Sequence, residues 1–131
     1  MSARPRLFTS SYRAALASDE ELVVVRISIG KPKWLAPAVA EAMPFLRELA
    51  PYGAFHIEDD EAFERAYRDR LDRAGVDRIE ARLRAIAEQR PGVPLALCCF
   101  ERDPADCHRS SFARWWLERT GERVPEYRHQ G

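Results

Sequence analysis

The chain contains apolar runs with the length and periodicity of β-strands. In Leu22–Ile29, one face is valine and isoleucine throughout, whereas the other face becomes polar at Arg26 and Ser28 near the end of the run. Leu95–Phe100 is apolar at every position, which is typical of a strand buried on both faces. Two shorter segments are predicted to add a first and a last strand: Arg6–Thr9 and Arg123–Tyr127.

Elsewhere the apolar residues recur every three or four positions, which is the spacing of amphipathic helices. One helix is predicted from Asp59 to the break at Gly75. A second is predicted from Asp77, which we expect to be its N-cap, with Glu80 as the capping-box partner. A third follows Cys107 and buries an aromatic stripe before it ends at a glycine: Phe112, Trp115, Trp116 and Gly121.

Two short helices complete the pattern. One covers residues 12–17, and the hydroxyl residues Thr9, Ser10 and Ser11 before it are suited to capping. The other has Pro44 as its first-turn proline and is stopped by Pro51. Strands that alternate with helices predict a single α/β domain over residues 1–131, with a mostly parallel sheet and helices on both faces. A chain of 131 residues is long enough to fold as one domain without disulfide bonds or a structural metal ion.

The densest chemistry follows the strand Leu95–Phe100. A polar turn, residues 101–106, leads to Cys107, His108 and Arg109 at the start of the last helix. A loop between a strand and a helix N-terminus is a common ligand site in α/β proteins, because the helix offers free N–H groups and the positive end of its dipole. We therefore expect a charged cleft at this edge of the sheet.

The residue types at this edge suggest a site for a small anionic or nucleotide-like molecule, or a nucleic-acid base. We expect Glu101 to be a general acid or base, His108 a second proton carrier, and Cys107 a nucleophile whose pKa is lowered at the helix start. A hydrolase or a transferase is consistent with these roles. The anion would be held by Arg109 and Ser110, and further contacts are expected from Thr9, Ser10, Arg26, Ser28, Lys33, Trp34 and Tyr67.

Several of these residues have a second interpretation. Thr9 and Ser10 could serve as caps alone, and Trp34, beside a proline turn, could be a packing anchor. Arg26 is expected either to be paired or to line a cavity, or else to point into water from a sheet edge.

Charge and cysteine content limit the binding partners and the cellular compartment that we expect. Lys and Arg total 21, as do Asp and Glu, so a net charge of zero does not indicate binding to nucleic acid or membrane. Three cysteines form a poor disulfide framework and indicate a reducing compartment. The N-terminus lacks the apolar core of a signal peptide, and no run reaches membrane-spanning length, so we expect a cytoplasmic protein.

The motif Cys99-Phe100-Glu101, followed by Cys107–Ser110 and by Trp115-Trp116, resembles the hallmark of domain of unknown function family 488. Further segments resemble the shorter branch of that family: Thr9–Tyr12, Ser28-Ile29, Pro32–Trp34, Leu49–Pro51 and Ala66-Tyr67. The resemblance extends over nearly the whole chain. It implies a Rossmann-like α/β domain and no settled reaction.

Two other classes of function stay open. Cys99, Cys107 and His108 could form a metal or redox site completed by Glu101 or His56, although their spacing departs from the paired CxxC of structural zinc and we assign no metal ligand. Alternatively, Glu101 and Arg109 pair, His108 caps the helix and Cys107 packs, which would make the chain a non-enzymatic interaction module. Phosphate-binding and dinucleotide glycine motifs are absent, and the sequence identifies neither a cofactor nor an oligomeric state.

Overall fold

The computed structural model describes residues 4–101 and 107–127. Most of the predicted polar turn, residues 102–106, therefore lies outside the described residues, as do residues 128–131. The strands are β1 Leu7–Ser11, β2 Val23–Arg26 and β3 Leu95–Cys99. The helices are α1 Tyr12–Leu16, α2 Pro37–Ala42, α3 Asp60–Ala74, α4 Val76–Glu88 and α5 His108–Thr120, with a 3-10 turn at Arg47–Leu49.

The sheet of the described chain has three parallel strands in the order β1-β3-β2. Strand β3 lies in the middle and is buried at all five positions, as its apolar composition predicts for a strand with neighbours on both sides. Leu95 and Leu97 pack into the larger core with α3, α4 and α5, whereas Ala96 and Cys98 pack against α1. The α/β class and the parallel strands are confirmed. The Rossmann-like arrangement stays a prediction.

The predicted last strand is reduced to a single bridge. Glu126 lies opposite Thr9, with the Thr9 N–H donating to the Pro125 carbonyl at 3.0 Å and the Tyr127 N–H donating to the Thr9 carbonyl at 2.7 Å. This short contact holds the end of the described chain against β1, and it brings the Glu126 carboxylate under the carboxyl edge of the sheet.

The helix predicted from Pro44 is wrong. The chain at Pro44–Leu46 is extended because it pairs with β2: the Arg26 N–H donates to the Pro44 carbonyl at 2.8 Å, and the Leu46 N–H donates to the Arg26 carbonyl at 3.0 Å. Helical geometry begins only at the 3-10 turn Arg47–Leu49.

The cap predicted for α4 is also wrong. Helix α4 starts at Val76 with Gly75 as its N-cap, so Asp77 lies inside the first turn, where its charge favours the helix dipole. Gly75 also ends α3 and has a φ of 84°, which glycine adopts without strain. One glycine therefore separates the two helices, and no side chain is needed as a cap. At the start of α1 it is Ser11, rather than Thr9 or Ser10, whose hydroxyl accepts the capping bond, from the Ala14 N–H at 3.1 Å.

Candidate functional site

A cleft of about 660 Å³ opens at the carboxyl edge of the sheet. It lies between the chain after β2, the chain after β3, the start of α5 and one side of α3. Parallel strands bring their carboxyl ends to one edge, so this is the place where an α/β fold builds a site. Its chemically distinctive lining residues are Ser28, Asp60, Glu64, Cys99, Glu101, Cys107, His108, Ser110, Ser111 and Arg114, and its aromatic ones are Phe55, Phe63 and Phe100.

Two cysteines form the floor of the cleft. Cys99 is the last residue of β3, Cys107 is the N-cap of α5, and their sulfur atoms are joined in a disulfide. The expectation that the three cysteines make a poor disulfide framework is therefore wrong for this pair, whereas the role of Cys107 as a nucleophile stays a prediction. The pair forms because α5 packs back along β3 and returns the chain to the strand end eight residues later. Cys98 points to the other face of the sheet and is free and buried, as a filler residue should be.

His108 lies beside this pair with a fixed orientation. Its Nε2–H donates to the Ile27 carbonyl at 2.7 Å, so Nδ1 carries the lone pair and faces the Cys107 sulfur at 3.7 Å. The pKa of His108 is lowered from 6.5 to about 4, chiefly by burial; the hydrogen bond to the Ile27 carbonyl opposes this shift, and the nearby Arg109 charge adds to it. The imidazole is therefore neutral at pH 7 and able to accept a proton or bind an ion. It binds the loop after β2 and does not cap α5.

Arg109 lies behind the cysteine pair, fully buried. Its Nε and Nη2 donate to the two carboxylate oxygens of Glu126 at 2.9 and 3.0 Å. Its Nη1 donates to the Cys99 sulfur at 3.1 Å and to the Glu101 backbone carbonyl at 2.7 Å. The guanidinium thus contacts Glu101 through the backbone, and its carboxylate partner is Glu126, a residue that the sequence did not single out. The Arg109 guanidinium therefore contacts the Cys99 sulfur from the protein interior and does not itself line the cleft.

The structure brings five of the predicted site residues together along the cleft: Ser28, Glu101, Cys107, His108 and Ser110. The Ser28 hydroxyl lies 2.6 Å from the Tyr12 hydroxyl and donates to the Gly30 carbonyl at 2.7 Å. Tyr67 is buried one layer behind, where its ring meets His108 edge-on at 5.5 Å and its hydroxyl donates to the Leu49 carbonyl at 2.6 Å. Burial raises the pKa of the Tyr67 phenol. The Tyr67 ring orients the imidazole of His108 and does not reach the cleft.

Five other predicted contacts lie away from the cleft lining. Thr9 donates to Glu126 at 2.8 Å, and the Ser10 hydroxyl donates to the Ser11 carbonyl at 2.8 Å. Arg26 is satisfied locally by the carbonyls of Ser28 and Ile29 and lies over the Phe45 ring at 3.8 Å, which makes it a paired arginine. Trp34 is 47% exposed beneath Arg13, so it is not a packing anchor, and Lys33 is exposed near it. His56 is exposed too, with its ring against Phe55.

Sequence reasoning missed a polar group on the opposite wall. Glu64 of α3 accepts a hydrogen bond from Ser111 at 2.7 Å and from Arg114 at 3.0 Å, both on α5. Burial alone would raise the pKa of Glu64, but the hydrogen bonds from Ser111 and Arg114 lower it. The carboxylate is therefore ionised at neutral pH. Glu64 is three residues before the buried Tyr67, and this spacing on the buried side of α3 was the signal that could have indicated it.

The fold and the site define a class: a small mixed α/β protein with a cysteine pair and a histidine at the carboxyl edge of a three-stranded parallel sheet. The family model described as Domain of unknown function DUF488 matches residues 38–116, more than half of the chain, and the chain belongs to this family. The match includes Cys99, Cys107 and His108 but not β1 or β2, so it covers less of the chain than the resemblance suggested. Comparisons with curated proteins and with solved structures give no match. In the described part of the chain, no helix has the length and apolarity to cross a membrane.

Proposed function

We propose that the cleft binds and acts on a small anionic or nucleotide-like molecule. The observation that carries this proposal is the joint presence, in one cleft of about 660 Å³, of reactive side chains and exposed aromatic rings. Phe55 and Phe100 are 67% and 46% exposed while they line the cleft, and exposed rings are suited to stacking on a planar group. The N-terminus of α5 has no side-chain cap, so its first N–H groups are suited to an anionic group of the same molecule.

The chemistry of the proposed reaction falls to three side chains. Neutral His108, with the Nδ1 lone pair toward the cysteines, accepts a proton. Glu101 is exposed at the cleft mouth and acts as a general acid or base in water-accessible surroundings. Cys107, at the helix N-terminus, is the nucleophile once the disulfide is reduced.

The binding step is tested with a panel of nucleotides, sugar phosphates and their uncharged counterparts. We expect the melting temperature to rise with anionic members only. Phe100→Ala should weaken binding of the best ligand by about 5- to 100-fold, the value of one lost stacking contact. Trp34→Ala is the matched control, since Trp34 is 47% exposed but lies outside the cleft. A panel in which no anionic member raises the melting temperature, or an equal loss in both variants, contradicts the proposed binding.

The acid/base role has its own test. Glu101→Gln should keep the ligand-induced melting shift and reduce turnover of any substrate found by about 10²- to 10⁴-fold, because the amide cannot transfer a proton. Glu58→Gln removes an exposed carboxylate outside the cleft lining and serves as the control. Unchanged turnover in Glu101→Gln would exclude this residue as the acid or base.

A second candidate function is dithiol–disulfide exchange, favoured by the bond from Arg109 to the Cys99 sulfur. An incoming thiolate attacks the Cys107 sulfur, and Cys99 leaves as a thiolate that the guanidinium stabilises. We expect the pair to interconvert over the glutathione ratios of a cell, as measured by alkylation and mass spectrometry. A disulfide that stays intact in excess reduced glutathione, or a pair that never closes, argues against this function.

A further inference from the structure

The three donor atoms at the floor of the cleft form a compact set. The Cys99 and Cys107 sulfurs and a ring nitrogen of His108 all lie within 4.8 Å of one another. Ligands of one tetrahedral zinc ion, at about 2.1 Å for nitrogen and about 2.3 Å for sulfur, lie roughly 3.5 Å apart. Small side-chain rotations are therefore enough to bring all three donors to one ion. The fold brings the three donors together, because Cys99 is at the end of a strand and Cys107 and His108 are at the start of a helix. Their spacing in the sequence departs from that of paired zinc motifs.

We propose that the dithiol form of this protein binds a divalent ion of the zinc class through Cys99, Cys107 and His108, with a fourth position open to the cleft. Two sulfurs and one imidazole suit a borderline-soft ion and not magnesium or calcium, which require oxygen ligands. The proposal goes beyond the proposed function and does not depend on it: it concerns the ion-bound dithiol form, whereas the roles proposed above for Cys107 and His108 belong to the ion-free dithiol form.

The neighbours of the three donors are those that a metal site needs. The Ile27 carbonyl accepts the Nε2–H of His108, which fixes the ring and leaves Nδ1 as the donor toward the cysteines. Arg109 donates to the Cys99 sulfur, a contact that stabilises a thiolate. The charges also balance: two thiolates neutralise a divalent ion, and Glu126 neutralises Arg109 behind it. A neutral assembly is far less costly to bury than an isolated ion.

The open fourth position follows from the lining of the cleft. Cys99, Cys107 and His108 all line it, and among the described residues this trio is the sole cluster of three or more potential ligands. Three protein ligands with a position for water or substrate characterise catalytic zinc sites, whereas structural sites have four. The carboxylates of Glu101 and Glu64 line the same cleft and could hold a proton of an ion-bound water.

The ion requires the disulfide to be opened. A phosphine reductant does this with a balanced reaction: the phosphorus attacks one sulfur, the S–S bond breaks, and water converts the adduct to phosphine oxide while each sulfur gains one proton. Binding of the ion then releases the two thiol protons. A phosphine is preferable to a dithiol because a dithiol competes for zinc.

The experiment titrates the reduced full chain with Zn²⁺ against a chromophoric chelator, and with Co²⁺ while the sulfur-to-cobalt charge-transfer absorption is recorded. We expect one ion per chain, sulfur-to-cobalt absorption, and no binding by the disulfide form. Cys107→Ser and His108→Ala should each weaken Zn²⁺ binding by at least about 10- to 100-fold. Cys98→Ser is the matched control, a neighbouring cysteine on the other face of β3, and should bind as the unmodified chain does.

Circular dichroism and thermal melting of each ion-free variant establish that it is folded before its affinity is compared. If Cys107→Ser does not fold, alkylation of Cys107 in the folded reduced chain replaces it and should abolish the cobalt absorption. The proposal is overturned if the reduced chain binds no ion, if cobalt binds without sulfur-to-cobalt absorption, or if Cys98→Ser loses as much affinity as Cys107→Ser. Ligand binding by the cleft is measured separately, so failure of either proposal leaves the other intact.

Discussion

Replacing Arg109 with methionine is expected to cost about 3–5 kcal/mol of the free energy of unfolding, more than the loss of any exposed ion pair would cost. The guanidinium is fully buried and holds both carboxylate oxygens of Glu126, the Cys99 sulfur and the Glu101 carbonyl. Methionine fills the space of the stem but leaves the Glu126 charge without its partner. Domains of this size are stable by about 5–15 kcal/mol, so the variant should approach the threshold of folding.

The measurement is chemical denaturation with the disulfide intact in every variant. Arg114→Met is the control: it is on the same helix and also pairs with a glutamate, Glu64, but its side chain is 58% exposed, and its loss should stay below about 1 kcal/mol. Adding Glu126→Gln to Arg109→Met should recover part of the loss, because the unpaired charge is then removed. Equal losses for Arg109→Met and Arg114→Met would show that the buried pair contributes no more than a surface one.

The main features of the fold were predictable because they depend on local patterns. The continuous apolar run predicted at Leu95–Phe100 is typical of a strand buried on both faces, and its first five residues, Leu95–Cys99, are the central strand of the sheet. The recurrence of apolar residues every three or four positions predicted helix α3, and two of these residues, Tyr67 and Leu71, are buried in the structure. Parallel strands then required that the residues after β2 and β3 share one edge, and Ser28 and Glu101 do line one cleft.

The features that could not be predicted depend on partners distant in sequence. Pro44 is extended because it pairs with Arg26, and the short-range pattern around it carries no sign of that pairing. Glu126 becomes the partner of Arg109 because the end of the described chain bridges to Thr9 in β1. The cysteine pair likewise depends on how α5 packs along β3, which the spacing of Cys99 and Cys107 alone does not determine.

The arrangement of Arg109 changes what the signature Cys-x-Glu and Cys-His-Arg is understood to do. Its arginine, which the sequence suggested as an anion ligand, is instead a buried cation that binds the sulfur and the backbone of the other half of the motif. The arginine therefore positions the two halves relative to each other. The cysteines and His108 are left as the groups that meet the cleft. The motif therefore combines the fully buried charge of Arg109 with side chains that line the cleft, those of the two cysteines and His108.

Stability of the disulfide form is expected to fall as the pH drops from about 6.5 to about 4, with His108 contributing up to about 3 kcal/mol of that loss. Burial lowers the pKa of His108 to about 4 in the folded chain, while the unfolded chain titrates near 6.5. Between these values the unfolded state binds the additional proton, so acid favours unfolding. The contribution is fully present above pH 6.5 and is lost progressively below it.

Protonation of carboxylates with lowered pKa values, such as Glu64, also destabilises the folded protein in acid. The contribution of His108 is therefore obtained as a difference between variants. Denaturation midpoints of the unmodified chain and of His108→Gln are compared from pH 4 to pH 8, with His56→Gln as the control because His56 is exposed. The glutamine side chain does not titrate, so His108→Gln should have a flatter profile between pH 4 and 6.5, whereas His56→Gln should follow the unmodified chain. Parallel profiles for all three proteins would mean that His108 titrates normally, and Nδ1 would then be protonated in mild acid instead of being a free acceptor at the floor of the cleft.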